Sequence, residues 1–363
     1  MPPVARYPLP VRQSPPIDTN TVLDETWVRD KTIVVTGGAS GFGEAFFRRW
    51  AGDGATVVIG DINTQRGDQL VREVRKETGN PNLHFFHCDV TDWQSQVQFF
   101  KDATHVSPHG GIDTVVANAG IVDPAPALET PKGLDAPNPP PPNLAVLDVN
   151  LKGVLYTSHL ALFYLAKNPQ SAPADPNCDP ATTVRDRHLL LMSSMAGIAP
   201  IPRQTLYATS KHAVVGLYRN LRCSSFLHGV RTNLICPYFM DTPLLTTVGR
   251  ALLAGGSFGD VEDVVEAATR FVADPRVVGR AVAVGPKLKV EQDMHGQWSL
   301  VEGKGNMGEE KAIWEIYAHD FEDSEIFSRR IVGIMNRAME IKGWTGWLKD
   351  MFAAVRYGLG GTR

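Results

Sequence analysis

From residue 32 onward the chain alternates short apolar runs with amphipathic stretches. "TIVVTG" (32–37), "ATVVIGD" (55–61), "LHFFHCDV" (83–90), "IDTVVANAG" (112–120), "RHLLLMSS" (187–194), "VRTNLICP" (230–237) and "GRAVAVG" (279–285) are rich in branched or aromatic residues. Their length and apolar continuity predict strands buried on both faces. Between the first of them, "GEAFFRRWAGDG" and "QRGDQLVREVRKETG" (65–79) space their apolar positions as helices do. Strands alternating with helices predict an α/β domain, a doubly wound parallel sheet with helices on both faces.

Four regions break this rhythm. Residues 1–29 open with six prolines in the first twenty positions and no periodicity, so they read as an extended arm. Two proline-rich stretches, 123–143 and 168–186, fall where connecting loops belong and read as surface insertions within a domain spanning 30–287. Residues 288–363 form a further extension, with helical spacing at 309–320 and 326–341. Its last apolar stripe, Trp344, Trp347, Leu348, Met351, Phe352 and Val355, follows i, i+3, i+4, i+7, i+8, i+11. Such a stripe suits a core or subunit contact. Lys342, Lys349, Arg356 and the two tryptophans keep open a peripheral membrane contact.

Composition then narrows the partners. Of 363 residues, 43% are apolar and 21% charged, which suits a folded protein with a large core. A formal net charge of −3 gives no electrostatic reason to expect nucleic acid. Four scattered cysteines, Cys88, Cys178, Cys223 and Cys236, show no metal-type pairing and fit reduced thiols in the cytoplasm. The first sixteen residues have no apolar core of a secretory signal, and no run reaches the ~20 apolar residues of a membrane span. The ten histidines form no ligand cluster, so no metal is expected, and His212 beside Lys211 reads as structural.

Candidate chemistry begins at "VVTGGASGFGEA", where Gly37, Gly41 and Gly43 lie between a strand and a helix. Glycines there permit a tight turn and let backbone amides approach a pyrophosphate, although the spacing departs from G-x-G-x-x-G. A purely structural turn is the alternative. Asp61 closes the second strand, placed to accept hydrogen bonds from ribose hydroxyls and to repel a 2′-phosphate. With Ser40 and Asn63 neutral and no arginine directly beside Asp61, NAD is favoured over NADP; a simple turn residue is the rival reading. Tyr207 and Lys211 share a helical face at i, i+4, and a nearby ammonium lowers a phenol's pKa. That pair alone is common by chance.

In context the pair gains meaning. Thr36-Gly37-x3-Gly41-x-Gly43, Asp61, Asp89-Val90, Asn118-Ala119-Gly120, Asn150, Ser194 and Tyr207-x3-Lys211 occur in one order over about residues 30–287. In this set the chain resembles the short-chain dehydrogenase/reductase family, in its NAD-dependent form. The resemblance implies a Rossmann-type fold and a secondary alcohol or ketone as substrate. Tyr207 would be the general acid/base, Lys211 would bind the nicotinamide ribose and tune the phenol, Ser194 would hydrogen-bond the reacting oxygen, and Asn150 would hold a proton-relaying water. Cofactor contacts would come from Gly37, Ser40, Gly41, Phe42, Gly43, Asp61, Ile62, Asp89, Val90, Asn118, Gly120, Tyr207, Lys211, Pro237 and Thr242. A homodimer or homotetramer built on the helices carrying Asn150 and Tyr207 is implied as well. The narrower likeness is to prostaglandin-type and hydroxy-polyketide dehydrogenases, which implies a lipophilic alcohol to be oxidised. One departure stands out: Tyr238 follows Pro237 where the family shows glycine. The apolar segment after it, 242–259, reads as a lid or as simple packing.

Overall fold

A computed structural model describes residues 13–123, 128–243, 258–295, 297–301, 308–318, 326–341 and 349. All seven expected strands form: β1 (Thr32–Thr36), β2 (Thr56–Asp61), β3 (Leu83–His87), β4 (Thr114–Ala117), β5 (His188–Met192), β6 (Arg231–Pro237) and β7 (Ala281–Gln292). They pair in parallel in the order β3-β2-β1-β4-β5-β6-β7. The chain reverses direction of travel between β3 and β4, which opens a crevice beyond the carboxyl ends of β1 and β4, the place where such sheets bind ligands.

Strand alternation divides the core. Ile33, Val35, Val57 and Ile59 face helices α1 (Gly41–Gly52) and α2 (Thr64–Thr78), together with a helix whose Val264, Ala268 and Phe271 are fully buried. Val34, Val58, Val115 and Leu189 face the opposite way, onto α3 (Trp93–Val106) and two helices described next. With both faces covered, the strands lack a polar side, which is why they read as unbroken apolar runs.

On that second face the chain runs through α4 (Ala145–Leu147), a π-helical turn (Asp148–Gly153) and α5 (Val154–Ala166). Helix α6 (Thr205–Leu221) lies beside them and α7 (Val261–Ala273) completes the first face. The π turn sits at Asn150, a local widening of the kind that helices show at functional positions.

Beyond β7 the structure corrects one expectation. Residues 309–320, expected as helix, contain strand β9 (Glu309–Ile316), which pairs antiparallel with β7. Its sequence, "EEKAIWEI", satisfies neither period cleanly. Sheet pairing decides the outcome: β9 lies along the edge of β7 opposite β6, and the short β8 (Trp298–Leu300) pairs with β7 where it outruns β6. Residues 326–341 are helical as expected and are called α8. The stripe from Trp344 to Val355 and the segment 244–257 lie outside the described residues. The insertion 168–186 is more than surface, since Asn168 and Asp186 at its ends are buried under the sheet.

Candidate active site

The carboxyl edge of the sheet holds a cavity of about 320 Å³. Glycines shape its floor. Gly37 has φ +64°, and a Cβ there would lie 2.7 Å from Ala119 Cα, so β1 and β4 approach too closely for any side chain. Gly43 is buried behind the loop, where a Cβ would meet the Gly37 carbonyl at 2.1 Å. It therefore closes the turn and does not line the cavity. The first-turn amides of α1 have no intrahelical acceptors. Asn118 locks the loop by donating through Nδ2 to the Thr36 and Gly37 carbonyls, both at 3.0 Å.

Asp61 lines the cavity at the end of β2. One carboxylate oxygen accepts from Ala39 N at 3.1 Å and the other from Asn63 N at 3.0 Å, which fixes the group and leaves each oxygen free to accept more. The nearest arginine along the chain, Arg66, is tied to Glu44 at 2.7 Å and Glu73 at 3.1 Å. Its charge is spent within that cluster.

Tyr207 and Lys211 come from the first turns of α6, both buried and both lining the same cavity. The Lys211 Nζ donates to Met192 O at 3.1 Å and stands 5.7 Å from the Tyr207 ring. Burial pulls the Lys211 ammonium down to about 8. Burial also pushes the Tyr207 phenol above its ordinary value, while its hydrogen bond with Ser194 acts the other way. In the ligand-free protein burial is thus the dominant influence on the phenol. Ser194 is half-buried at the exit from β5, and its Oγ caps the next turn by accepting from Ala196 N at 3.1 Å.

Asn150 is fully buried and clamps the loop after β4. Its Oδ1 accepts from Ile121 N and its Nδ2 donates to Ile121 O, each at 2.8 Å, with a further bond to Ser210 Oγ at 3.2 Å. A Cβ added at Gly120 would lie 3.4 Å from Asn150 Oδ1 and 3.6 Å from Lys211 Nζ. Both are ordinary contact distances, so Gly120 lies against these two groups without space alone requiring a glycine.

Of the residues expected at the site, Gly37, Ser40, Gly41, Phe42, Asp61, Ile62, Asp89, Val90, Asn118, Gly120, Tyr207, Lys211 and Thr242 line the one cavity. Asn150, Ser194, Pro237 and Gly43 stand just outside its wall. Tyr238 is exposed and stacks edge-on against Phe239 with ring centroids 4.9 Å apart. Sequence reasoning missed Cys88, Ile121, Val149, Met192, Ser193 and Pro243 on the wall. It also missed Asp123, whose Oδ2 accepts from Tyr207 N at 3.2 Å. Its position just past the end of β4, on the ligand-binding edge, was the available signal. No group of three metal-ligating side chains occurs among the described residues.

Residues 37–283 match a family model described as enoyl-(acyl carrier protein) reductase. A 5′-hydroxyaverantin dehydrogenase of Dothistroma septosporum is 34% identical, covering 77% of this chain and 93% of the relative. A mouse 15-hydroxyprostaglandin dehydrogenase [NAD(+)] is 28% identical, covering 67% of this chain and 80% of its own. Other relatives are named NADP-dependent dehydrogenases. A solved 3-ketoacyl-(acyl-carrier-protein) reductase from Brucella melitensis, complexed with NADH, shares the fold at TM-score 0.56 and 23% identity over 71% of this chain and 97% of its own.

Proposed function

The chain belongs to the short-chain dehydrogenase/reductase family, and on that premise we propose that it is an NAD-dependent enzyme oxidising a lipophilic secondary alcohol to a ketone. One observation carries this reading. A single cavity joins Asp61, on β2, to the buried Tyr207–Lys211 pair beyond β5, with the glycine turn between them. The residues fit a dinucleotide: a cramped glycine turn, unpaired helix-start amides, an acid with free acceptor capacity, and a buried ammonium.

When bound, the nicotinamide accepts or returns the hydride. The chain's own residues do the rest. Tyr207 removes the proton from the substrate hydroxyl, and Ser194 donates to the same oxygen and keeps it beside the phenol. Burial alone would keep Tyr207 protonated; the Ser194 hydrogen bond opposes it, and the Lys211 ammonium, 5.7 Å from the ring, would add to that opposition. Asn150, held by Ile121 and Ser210, keeps the loop after β4 in register with α6. Asp61 accepts the ribose hydroxyls and repels a phosphate at that position. Relatives named for hydroxyaverantin and hydroxyprostaglandin support the lipophilic alcohol. A homodimer through α5 fits its exposed Leu155 and Phe163.

The test is a panel of apolar secondary alcohols with NAD, read by NADH absorbance. Turnover that Tyr207→Phe abolishes is expected; no turnover across the panel would overturn the reading. The NADP-dependent relatives favour a second reading, a ketone reductase using NADPH. Paired titrations with NADH and NADPH separate the two, and tighter NADPH binding defeats the role given to Asp61.

A further inference from the structure

Helix α8 is built the wrong way round for a helix that only covers a core. Its apolar side chains Phe327, Ile331, Ile334, Ala338 and Ile341 recur at i, i+4, i+7, i+11, i+14, one continuous stripe. That stripe faces solvent. Ile326, Phe327, Ile331, Ile334, Met335 and Ile341 are between 36 and 66% exposed, while Val332, on the opposite face, is buried. Monomeric proteins rarely leave so much contiguous apolar surface uncovered without a partner for it.

The charges choose the partner. Arg330 and Arg337 sit seven residues apart along one flank of the stripe. Glu340 is the one acid in the helix, and it lies on the half-buried side. Pairing this helix antiparallel with its copy across a two-fold axis would bring Arg330 and Arg337 of the two copies against one another. Like charges beside an apolar seam oppose that pairing. A surface carrying negative charge over an apolar layer satisfies both halves of the helix at once. No helix among the described residues is long and apolar enough to cross a membrane, so the contact would lie in the interface plane.

We propose that α8 docks the protein on an anionic lipid surface, with Phe327, Ile331 and Ile334 entering the acyl boundary and Arg330 and Arg337 meeting the headgroups. The experiment is flotation of the full chain with vesicles of phosphatidylcholine alone and of equal parts phosphatidylcholine and phosphatidylserine, at low and high salt. The protein should float with the phosphatidylserine vesicles, and less so at high salt. The triple variant Phe327→Gln, Ile331→Gln, Ile334→Gln should weaken binding by about tenfold or more. The pair Arg330→Glu and Arg337→Glu should abolish the preference for phosphatidylserine. NADH binding, measured by fluorescence on each variant, should stay at the parent level, which separates loss of docking from loss of fold. Flotation that the triple variant leaves unchanged would overturn the proposal. So would a self-association that this variant dissolves in a chain that ignores both kinds of vesicle.

Discussion

The two ends of the same parallel sheet use polar groups in opposite ways. At the amino edge most of them satisfy one another, although His188 Nδ1 and Arg185 Nε are buried there without a hydrogen-bond partner. Asp113 is fully buried and accepts from Thr32 N at 2.8 Å, Asn168 Nδ2 at 2.9 Å and Asp186 N at 3.0 Å. Beside it Arg231, buried and planar, grips both oxygens of Asp186, the shortest bond being 2.6 Å. At the carboxyl edge Tyr207 and Lys211 are nearly as buried but incompletely used, while Asp61 and Ser194 are half-buried. Among the described residues Lys211 donates one side-chain hydrogen bond and points its remaining capacity into the cavity. A buried polar group left short of partners costs stability unless something else completes it. The amino edge is therefore built for stability and the carboxyl edge for a ligand.

Substitutions should separate along that line. The largest effect belongs to Tyr207→Phe, which removes only the hydroxyl. Turnover should fall about a thousandfold, the scale of losing a positioned acid/base. The unfolding midpoint should stay at the parent value or rise, because no buried acceptor is stranded. A Phe variant that kept its activity would place the proton transfer elsewhere.

Arg231→Ala inverts the pattern. It leaves Asp186 buried without its cation, and removing one member of a buried pair costs about 3–5 kcal/mol. Urea unfolding should show that loss, with NADH affinity of the folded fraction unchanged. The double change Arg231→Met with Asp186→Asn should recover much of it, since no unpaired charge then remains. Loss of cofactor affinity in step with stability would mean that the two edges are coupled.

The same division explains what could be read from the sequence. The parallel strands were legible because burial on both faces leaves runs of valine, isoleucine and leucine that need no tertiary context. The site was legible because its groups sit at fixed offsets from those strands: Asp61 closes β2, Asn118 follows β4, Ser194 follows β5. Strand β9 was not legible. Its run Lys311, Ala312, Ile313, Trp314 and Glu315 follows no strand period, and its conformation is imposed by pairing along the edge of β7 opposite β6, a feature visible only once the sheet exists. Asp123 was hidden for a related reason, because it acts on Tyr207 across a separation of 84 residues. The amino-edge cluster was equally silent, since Asn168 and Asp186 belong to a stretch whose prolines read as plain loop.

Asp123 offers a finer probe of the carboxyl edge. Its carboxylate caps an amide in the first turn of α6, and so holds the helix that presents the phenol. Asp123→Ala should lower kcat by roughly fivefold, the scale of losing one capping bond of about 1 kcal/mol near the chemistry. KM should change less, and the pH profile should keep its shape, because the residue positions Tyr207 and exchanges no proton with it. Asp123→Asn keeps an acceptor and should restore most of the rate. A shifted profile would instead make Asp123 a participant in the ionisation.

The smallest effect tests one of the amino-edge groups whose pairing is incomplete. Asp53 follows α1 and competes with Glu25 for Arg49; its Oδ2 lies 3.4 Å from Arg49 Nε but makes no hydrogen bond. Burial, and then the neighbouring Glu25 charge, push its carboxyl from 3.8 up to about 6. The folded protein therefore holds this proton more tightly than the unfolded chain. The resulting penalty is absent below about pH 4, grows as pH rises towards 6, and is complete above it. Asp53→Asn should raise stability at pH 7 on the order of 1 kcal/mol and flatten the dependence between pH 4 and 6. Thermal melts of both proteins across that window measure it. An Asn variant less stable at pH 7 would show that the Arg49 attraction outweighs burial, and that this amino-edge group is paired after all.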